Sequence, residues 1–283
     1  MPTSDSELDF ERTAYSPRIA YSRCGQGIAL VFLHGIGGSR HNWNQQLQHF
    51  APKYQPVAWD ARGYGDSDDY EGPCRFEDFS KDLLQLLDQL EAPDAHFVGL
   101  SMGGRILMDF VDRYPSRVRS MVIAASFPSF GQTLSQEQQQ EFLRKRREPL
   151  LSGAGTGEMA GALLDSLLGP TATPEARKAA LHSISQLRPA SYLKVLEATL
   201  SFDRTHALAR SCKPTLLLYG ECDTLVTPQA GQRVQALIPH AQTAVLPTAG
   251  HLLNLEAPDV FNQLVERFLH GVDEPGTRHD AQS

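Results

Sequence analysis

The chain has 283 residues, 41% of them hydrophobic, which suits a sizeable core in one large domain carrying an insertion. Lys and Arg number 26 against 33 Asp and Glu, a net charge of −7; nucleic acid, which calls for a basic stripe, is not expected as a partner, while a small anionic substrate stays open. Cys24, Cys74, Cys212 and Cys222 show neither CxxC pairing nor a histidine at metal-ligand spacing, so no metal site or redox motif is expected, and reduced thiols in a cytoplasmic protein are.

The opening MPTSDSELDF has no basic or apolar region of a signal peptide, and no apolar run approaches the roughly 20 residues that cross a bilayer, so no membrane partner is expected. Residues 1–9 read as a loose leader. Phe10 to Tyr15 and Arg18 to Arg23 alternate and read as an edge hairpin around Ser16-Pro17. IALVFL from Ile28 is unbroken and apolar, as in a strand buried on both faces, and runs into the glycine-rich loop His34-Gly35-Ile36-Gly37-Gly38-Ser39. A polar helix is expected over 41–51, a strand in QPVAWD ending at Asp60, and a helix over 76–91, where Phe79, Leu83, Leu86, Leu87 and Leu90 recur at helical spacing. AHFVGL is a further buried strand. It leads into Ser101-Met102-Gly103-Gly104 and a helix to about Tyr114, followed by the strand MVIAAS. Strand–helix alternation of this kind predicts a doubly wound parallel sheet.

From Phe127 to His206 the rhythm breaks. This stretch is rich in Gln, Leu and Ala, with Pro170, Pro174 and Pro189 read as helix stops, and it is expected to be a mostly helical insertion. TLLLYG, a helix from Pro228, the strand TAVLP and a helix from Pro258 to His270 restore the pattern. The expected division is core 1–126, helical cap 127–206, core 207–271 and a disordered tail 272–283.

Gly99-Leu100-Ser101-Met102-Gly103 is a G-x-S-x-G sequence between a buried strand and an amphipathic helix. A serine on so tight a turn projects its hydroxyl from the sheet, and only glycine leaves room beside it. A hydroxyl needs a base to become a nucleophile. Among ten histidines His251 is favoured, because it follows a late strand and so lies at the carboxyl edge of the sheet, where ligands bind in open α/β folds. His96 begins a strand and points to the other edge; His41, His49 and His240 read as surface residues. Asp223 follows the strand LLLYG and is the expected partner of the imidazole, with Glu221 a competitor. No Asp or Glu occurs between Asp112 and Glu137, so an acid after the preceding strand lacks a residue. The N–H groups of Met102 and Ile36 are the expected oxyanion donors, and His34 is read as holding the glycine loop by hydrogen bonds. That loop lacks the Lys-Ser/Thr of a phosphate loop and the spacing of a dinucleotide fingerprint, so no cofactor is expected.

HGIGGS, WDARGYGDSD, GLSMGG, YGECDTLVTP and AGHLLNLEAPDVF, in this order, resemble the α/β-hydrolase superfamily over about 28–126 and 214–270. The resemblance implies a mostly parallel eight-stranded sheet with helices on both faces, a helical cap inserted after the sixth strand, and acyl chemistry without a cofactor or metal. It makes Asp60 and Arg62 a structural loop beside the serine. The text looks nearest to small esterases and lactonases such as 3-oxoadipate enol-lactonase, and is similar also to hydrolases that cleave carbon–carbon bonds in ring-fission products. The latter commonly have Asn before the nucleophile and Trp after the histidine, where this chain has Leu100 and Leu252. Ser101 speaks against dehalogenases and epoxide hydrolases, which use Asp. A cofactor-free perhydrolase and a ligand receptor on a hydrolase scaffold are the remaining alternatives. For substrate contacts the candidates are Arg105, Phe127 and Phe130, with Met108 and Met159 behind them; ordinary core, and for Arg105 a solvent-facing or internally paired arginine, is the plainer reading. The run Arg144-Lys145-Arg146-Arg147 reads as a solvated helix face. A homodimer is compatible with the sequence.

Overall fold

The apolar runs are strands, joined among the described residues into one eight-stranded sheet: β1 (Asp9–Arg12), β2 (Ala20–Arg23), β3 (Ala29–Leu33), β4 (Gln55–Trp59), β5 (Ala95–Leu100), β6 (Val118–Ala124), β7 (Thr215–Gly220) and β8 (Gln242–Leu246). The computed structural model describes residues 8–130, 135–151 and 156–274, the side chains of 149–151, 156–160 and 162 excepted. The spatial order is β1-β2-β4-β3-β5-β6-β7-β8. β2 pairs antiparallel with both β1 and β4, and the remaining pairs are parallel.

Period-two alternation explains why the central strands are apolar throughout. Val31 and Leu33, Phe97, and Met121 and Ile123 point into one core, shared with α2 (introduced below with the other helices). Leu30 and Phe32, Val98 and Leu100, and Val122 and Ala124 point into the other. The helices are α1 (Asn44–Phe50), α2 (Phe76–Gln89), α3 (Met102–Arg113), α4 (Gln136–Leu151), α5 (Thr156–Leu167), α6 (Pro174–Ser185), α7 (Pro189–Ser201), α8 (Thr205–Arg210), α9 (Pro228–Leu237), α10 (Leu253–Glu256) and α11 (Pro258–Asp273). α2 and α3 cover the first face through Phe79, Leu83, Ile106 and Phe110. α1 and α11 cover the second through Leu47, Phe50, Phe261 and Val265.

Several boundaries differ from the sequence reading. The helix expected at 41–51 opens as a 3₁₀ turn over Arg40–Trp43 before α1. Pro174 and Pro189 do not stop helices: each is the first residue of one, where its fixed φ fits and its missing N–H costs nothing. α11 continues to Asp273, into the segment assigned to the tail; residues 275–283 and 1–7 lie outside the described residues. No described helix is long and apolar enough to cross a membrane.

The segment between β6 and β7 carries α4 to α8, and its two stems are tied together. Ser129 and Asp203 form an antiparallel bridge, and the Arg204 N–H donates to the Pro128 carbonyl at 3.0 Å. Below them the fully buried Asp109 of α3 collects donors from three elements: Ser80 Oγ of α2 at 2.6 Å, Arg113 Nε at 2.7 Å, and Arg204 Nε at 2.8 Å. Asp109→Ala therefore removes the buried acceptor that two guanidinium groups share at the joint between insertion and sheet, leaving them only the more distant Glu77 at 3.4 Å and Asp112 at 3.9 Å. It is expected to lower the unfolding free energy by about 3 kcal/mol, read from urea unfolding curves.

Candidate active site

Loops following β3, β5, β7 and β8 carry Ile36, Ser101, Asp223 and His251 at the carboxyl edge of the sheet. Ser101 sits between β5 and α3 with φ 54° and ψ −109°, a backbone that a non-glycine residue holds only when its surroundings enforce it. Here they do. The Ser101 N–H donates to the Ala124 carbonyl of β6 at 2.8 Å, and its carbonyl accepts from Ser126 Oγ at 2.7 Å. A Cβ on Gly99 would meet the Gly103 carbonyl oxygen at 2.5 Å, and one on Gly103 would collide with the Leu33 carbonyl. The glycines of the motif are thus what lets strand and helix close around the serine.

His251 and Asp223 are both buried, and His251 Nδ1 lies 2.8 Å from Asp223 Oδ2. The other carboxylate oxygen, Oδ1, accepts the N–H groups of Leu225 at 2.8 Å and Val226 at 2.9 Å. An ionised carboxylate held this way can only accept, so the proton belongs on Nδ1 and Nε2 is the basic nitrogen. Glu221, the competing carboxylate, instead accepts the Thr248 N–H at 2.9 Å.

The loop bearing His251 is itself clamped by Glu256, a residue the sequence reading did not single out. Its Oε2 accepts the N–H of Gly250 at 3.0 Å and of Gly169 at 2.6 Å, and its Oε1 accepts the N–H of Leu252 at 3.0 Å. The His251 N–H donates to the carbonyl of Leu167, at the end of α5, at 2.7 Å. Gly169, Gly220 and Gly250 make this approach feasible: a Cβ on Gly169 would lie 2.7 Å from Gly250 N, and one on Gly250 would lie 2.7 Å from the Leu167 oxygen. The available signal was a glutamate in the first turn of the helix after the histidine, reaching back to the N-cap amide as in a capping box.

Met102 N–H heads α3 and Ile36 N–H lies in the glycine loop; among the described residues neither has a hydrogen-bond partner. Gly35 keeps that loop against the serine, since a Cβ there would be 3.2 Å from Ser101 Cβ. His34 is fully buried; its Nδ1 is 2.8 Å from the Gly35 oxygen and its Nε2 accepts the Ala61 N–H at 3.0 Å. Burial holds its pKa below the usual histidine range, so it stays neutral and structural. Asp60 accepts the Arg40 N–H at 2.7 Å and the Asp66 N–H at 3.0 Å, and Arg62 grips Asp82 through Nε at 2.6 Å. Both belong to the scaffold.

Ser101, His251 and Ile36 open into a cavity of about 250 Å³. Phe127, Phe130, Phe142 and Leu163 form apolar parts of its wall, and Arg105 and Arg146 are its charged lining residues. Two expectations are corrected. Arg105 is neither solvent-facing nor internally paired: it is 3% exposed, its Nε has no partner, and its guanidinium lies over the rings of Phe127 at 4.7 Å and Phe130 at 4.8 Å. Burial lowers its pKa to about 9, which leaves it cationic at neutral pH. The basic run of α4 is not uniformly solvated. Arg144 pairs in solvent with Glu141 at 2.7 Å and Glu148 at 2.8 Å, but Arg146 turns inward over the Phe142 ring at 3.6 Å. Phe142 and Arg146 are four residues apart and share a helix face, a spacing legible in the sequence. Met108 is core. Met159 falls outside the described side chains.

The family described as alpha/beta hydrolase fold matches residues 28–258. The 3-oxoadipate enol-lactonase 2 of Acinetobacter baylyi is 29% identical over 257 residues, 90% of this chain and 94% of that protein. The 2-hydroxy-6-oxononadienedioate/2-hydroxy-6-oxononatrienedioate hydrolase of Escherichia coli is 28% identical over 274 residues, 93% of this chain and 94% of that one. A hydrolase from Pseudomonas aeruginosa PA01 has a solved structure that superposes with a TM-score of 0.81 at 29% identity, covering 93% of this chain and 98% of its own.

Glu256 touches no reacting atom; it positions His251 through the backbone on either side. Glu256→Ala is expected to slow labelling of Ser101 by a fluorophosphonate probe by about 10²-fold, the scale of an ångström of misplacement. Glu256→Gln, which keeps the acceptor for Gly169 and Gly250 but sets its NH2 against the Leu252 N–H, should recover only part of the rate.

Proposed function

The chain belongs to the alpha/beta hydrolase fold family, and from that premise we propose that it is a serine hydrolase that cleaves a small carboxylic ester or lactone through an acyl-enzyme on Ser101. The observation that carries this reading is the orientation of His251 by Asp223 at 2.8 Å in the same cavity as a serine on a strained turn. Similarity to an enol-lactonase lends it support.

In this reading His251 Nε2 takes the proton of Ser101 Oγ as the oxygen attacks the carbonyl carbon. Asp223 stabilises the imidazolium and keeps the proton on Nδ1. The N–H groups of Ile36 and Met102 receive the negative charge on the carbonyl oxygen, each worth about 3–4 kcal/mol of barrier. The start of α3 adds its positive dipole end beneath that charge. The imidazolium then protonates the leaving alkoxide, which departs, or in a lactone stays attached at the far end of the acyl chain. Water, deprotonated by the same nitrogen, attacks the acyl-enzyme and frees Ser101 and the acid. Residues 127–206 act as a cap whose apolar wall restricts water around the acyl group.

Carbon–carbon bond hydrolysis is a second reading, favoured by the similarity to the E. coli ring-fission hydrolase. Leu100 and Leu252 stand against it.

Release of nitrophenol from p-nitrophenyl butyrate by the wild type should fall by at least about three powers of ten in Ser101→Ala. Equal rates in the two proteins, or cleavage of a ring-fission dienoate with none of the ester, would overturn the ester reading.

A further inference from the structure

Arg105 is costly to keep where it is. A guanidinium taken out of water needs a carboxylate or a full set of hydrogen bonds, and aromatic faces replace only part of its hydration. Among the described residues it has no carboxylate partner, its Nε is unbonded, and no Asp or Glu lines the cavity it borders. The second cation of the cavity, Arg146, stands at the other end of a run of ring contacts: Phe127 edge-on to Phe130 at 4.8 Å, Phe130 tilted against Phe142 at 5.3 Å, then Arg146 over Phe142. The net charge of the chain is negative, yet the cavity holds positive charge with no carboxylate among its described lining residues to balance it.

Resting on the serine-hydrolase reading, we infer that the substrate brings the missing anion: a small ester or lactone carrying a free carboxylate, which Arg105 receives inside the cavity. Arg105 follows Ser101 by one helical turn, on the order of 6 Å along the axis of α3. The carboxylate and the scissile carbonyl are therefore a few bonds apart in one compact molecule. The aromatic rings flank the carbon chain between them, and Arg146 adds a second positive charge to the same field. The apolar walls strengthen the attraction, because little water remains to screen it.

The test compares charged and uncharged partners of equal length. The mono-p-nitrophenyl ester of adipate is set against p-nitrophenyl heptanoate, with the carboxylate on the acyl side, and 4-acetoxybenzoate against 4-isopropylphenyl acetate, with the carboxylate on the alcohol side. In wild type at least one charged member is expected to have a kcat/KM tenfold or more above its uncharged partner. Arg105→Met should collapse that ratio to near one, and Arg105→Lys should retain part of it. Because Met removes an unpaired buried charge, Arg105→Met is also expected to melt at a higher temperature than wild type, where loss of a structural arginine would lower it. Binding gives a readout free of turnover: adipate should raise the melting temperature of Ser101→Ala, 1,6-hexanediol should not, and adding Arg105→Met should abolish the adipate effect. Ser101-dependent hydrolysis with no charge preference in either pair sinks this inference and leaves the hydrolase reading standing. Absence of any hydrolysis sinks the latter, and the adipate shift then decides the carboxylate site alone. A preference or shift that survives Arg105→Met overturns it.

Discussion

The contact between Gly103 and the carbonyl of Leu33 governs the geometry of the whole site. It allows the first turn of α3 to lie directly on the end of β3, with no side chain between them. From that approach follow the tight turn at Ser101 and the nearness of the Gly35 loop to the serine. The strain at Ser101 is held by bonds to neighbouring strand ends rather than by the turn itself: Ala124 and Ser126 belong to the end of β6, and Tyr219 of β7 in turn donates its hydroxyl to the Ser126 carbonyl at 3.2 Å. A parallel sheet with helices on both faces is rigid at this edge, which is why the edge can carry so unfavourable a backbone.

Electrostatically the site separates two kinds of charge. Asp223 is fully compensated by two backbone N–H groups and an imidazole before any ligand arrives. Arg105, among the described residues, has only the faces of Phe127 and Phe130 against it. The first arrangement fixes a proton in place; the second leaves a deficit for a ligand to fill. Placing the compensated charge at the sheet edge and the uncompensated one against aromatic rings keeps them from neutralising each other.

Most of the frame was legible in the residues. Buried strands declare themselves because both faces are covered, and alternation in β3 or β6 has no polar face to hide. The placement of Ser101, Asp223 and His251 along one edge of the sheet was readable because each follows a strand, and chain position is what a sequence records. The solvated reading of Arg146, and the plainer of the two readings of Arg105, failed for the opposite reason. Whether an arginine meets water depends on what another segment lays over it, here α4 and the residues just after β6, and no local pattern states that. Glu256 escaped because it acts on amides, which every residue has, and its place in the first turn after the histidine was the one local sign of it. Pro174 and Pro189 were read as stops when each is a start; proline marks a helix boundary without saying which side of it the helix lies on.

The Leu167 carbonyl binds the loop that Glu256 grips, and the Gly169 amide binds Glu256 itself, so the insertion contributes backbone to the setting of His251 as well as walls to the cavity. Pocket and machinery are accordingly not separable modules. An insertion exchanged from another member of the family would have to carry a glycine and a carbonyl at these two places, whatever its helices otherwise looked like. Drift in substrate preference is freest in the helix faces that line the cavity, and most confined at the short turn after α5, where a change meant for the roof would be felt first at the base.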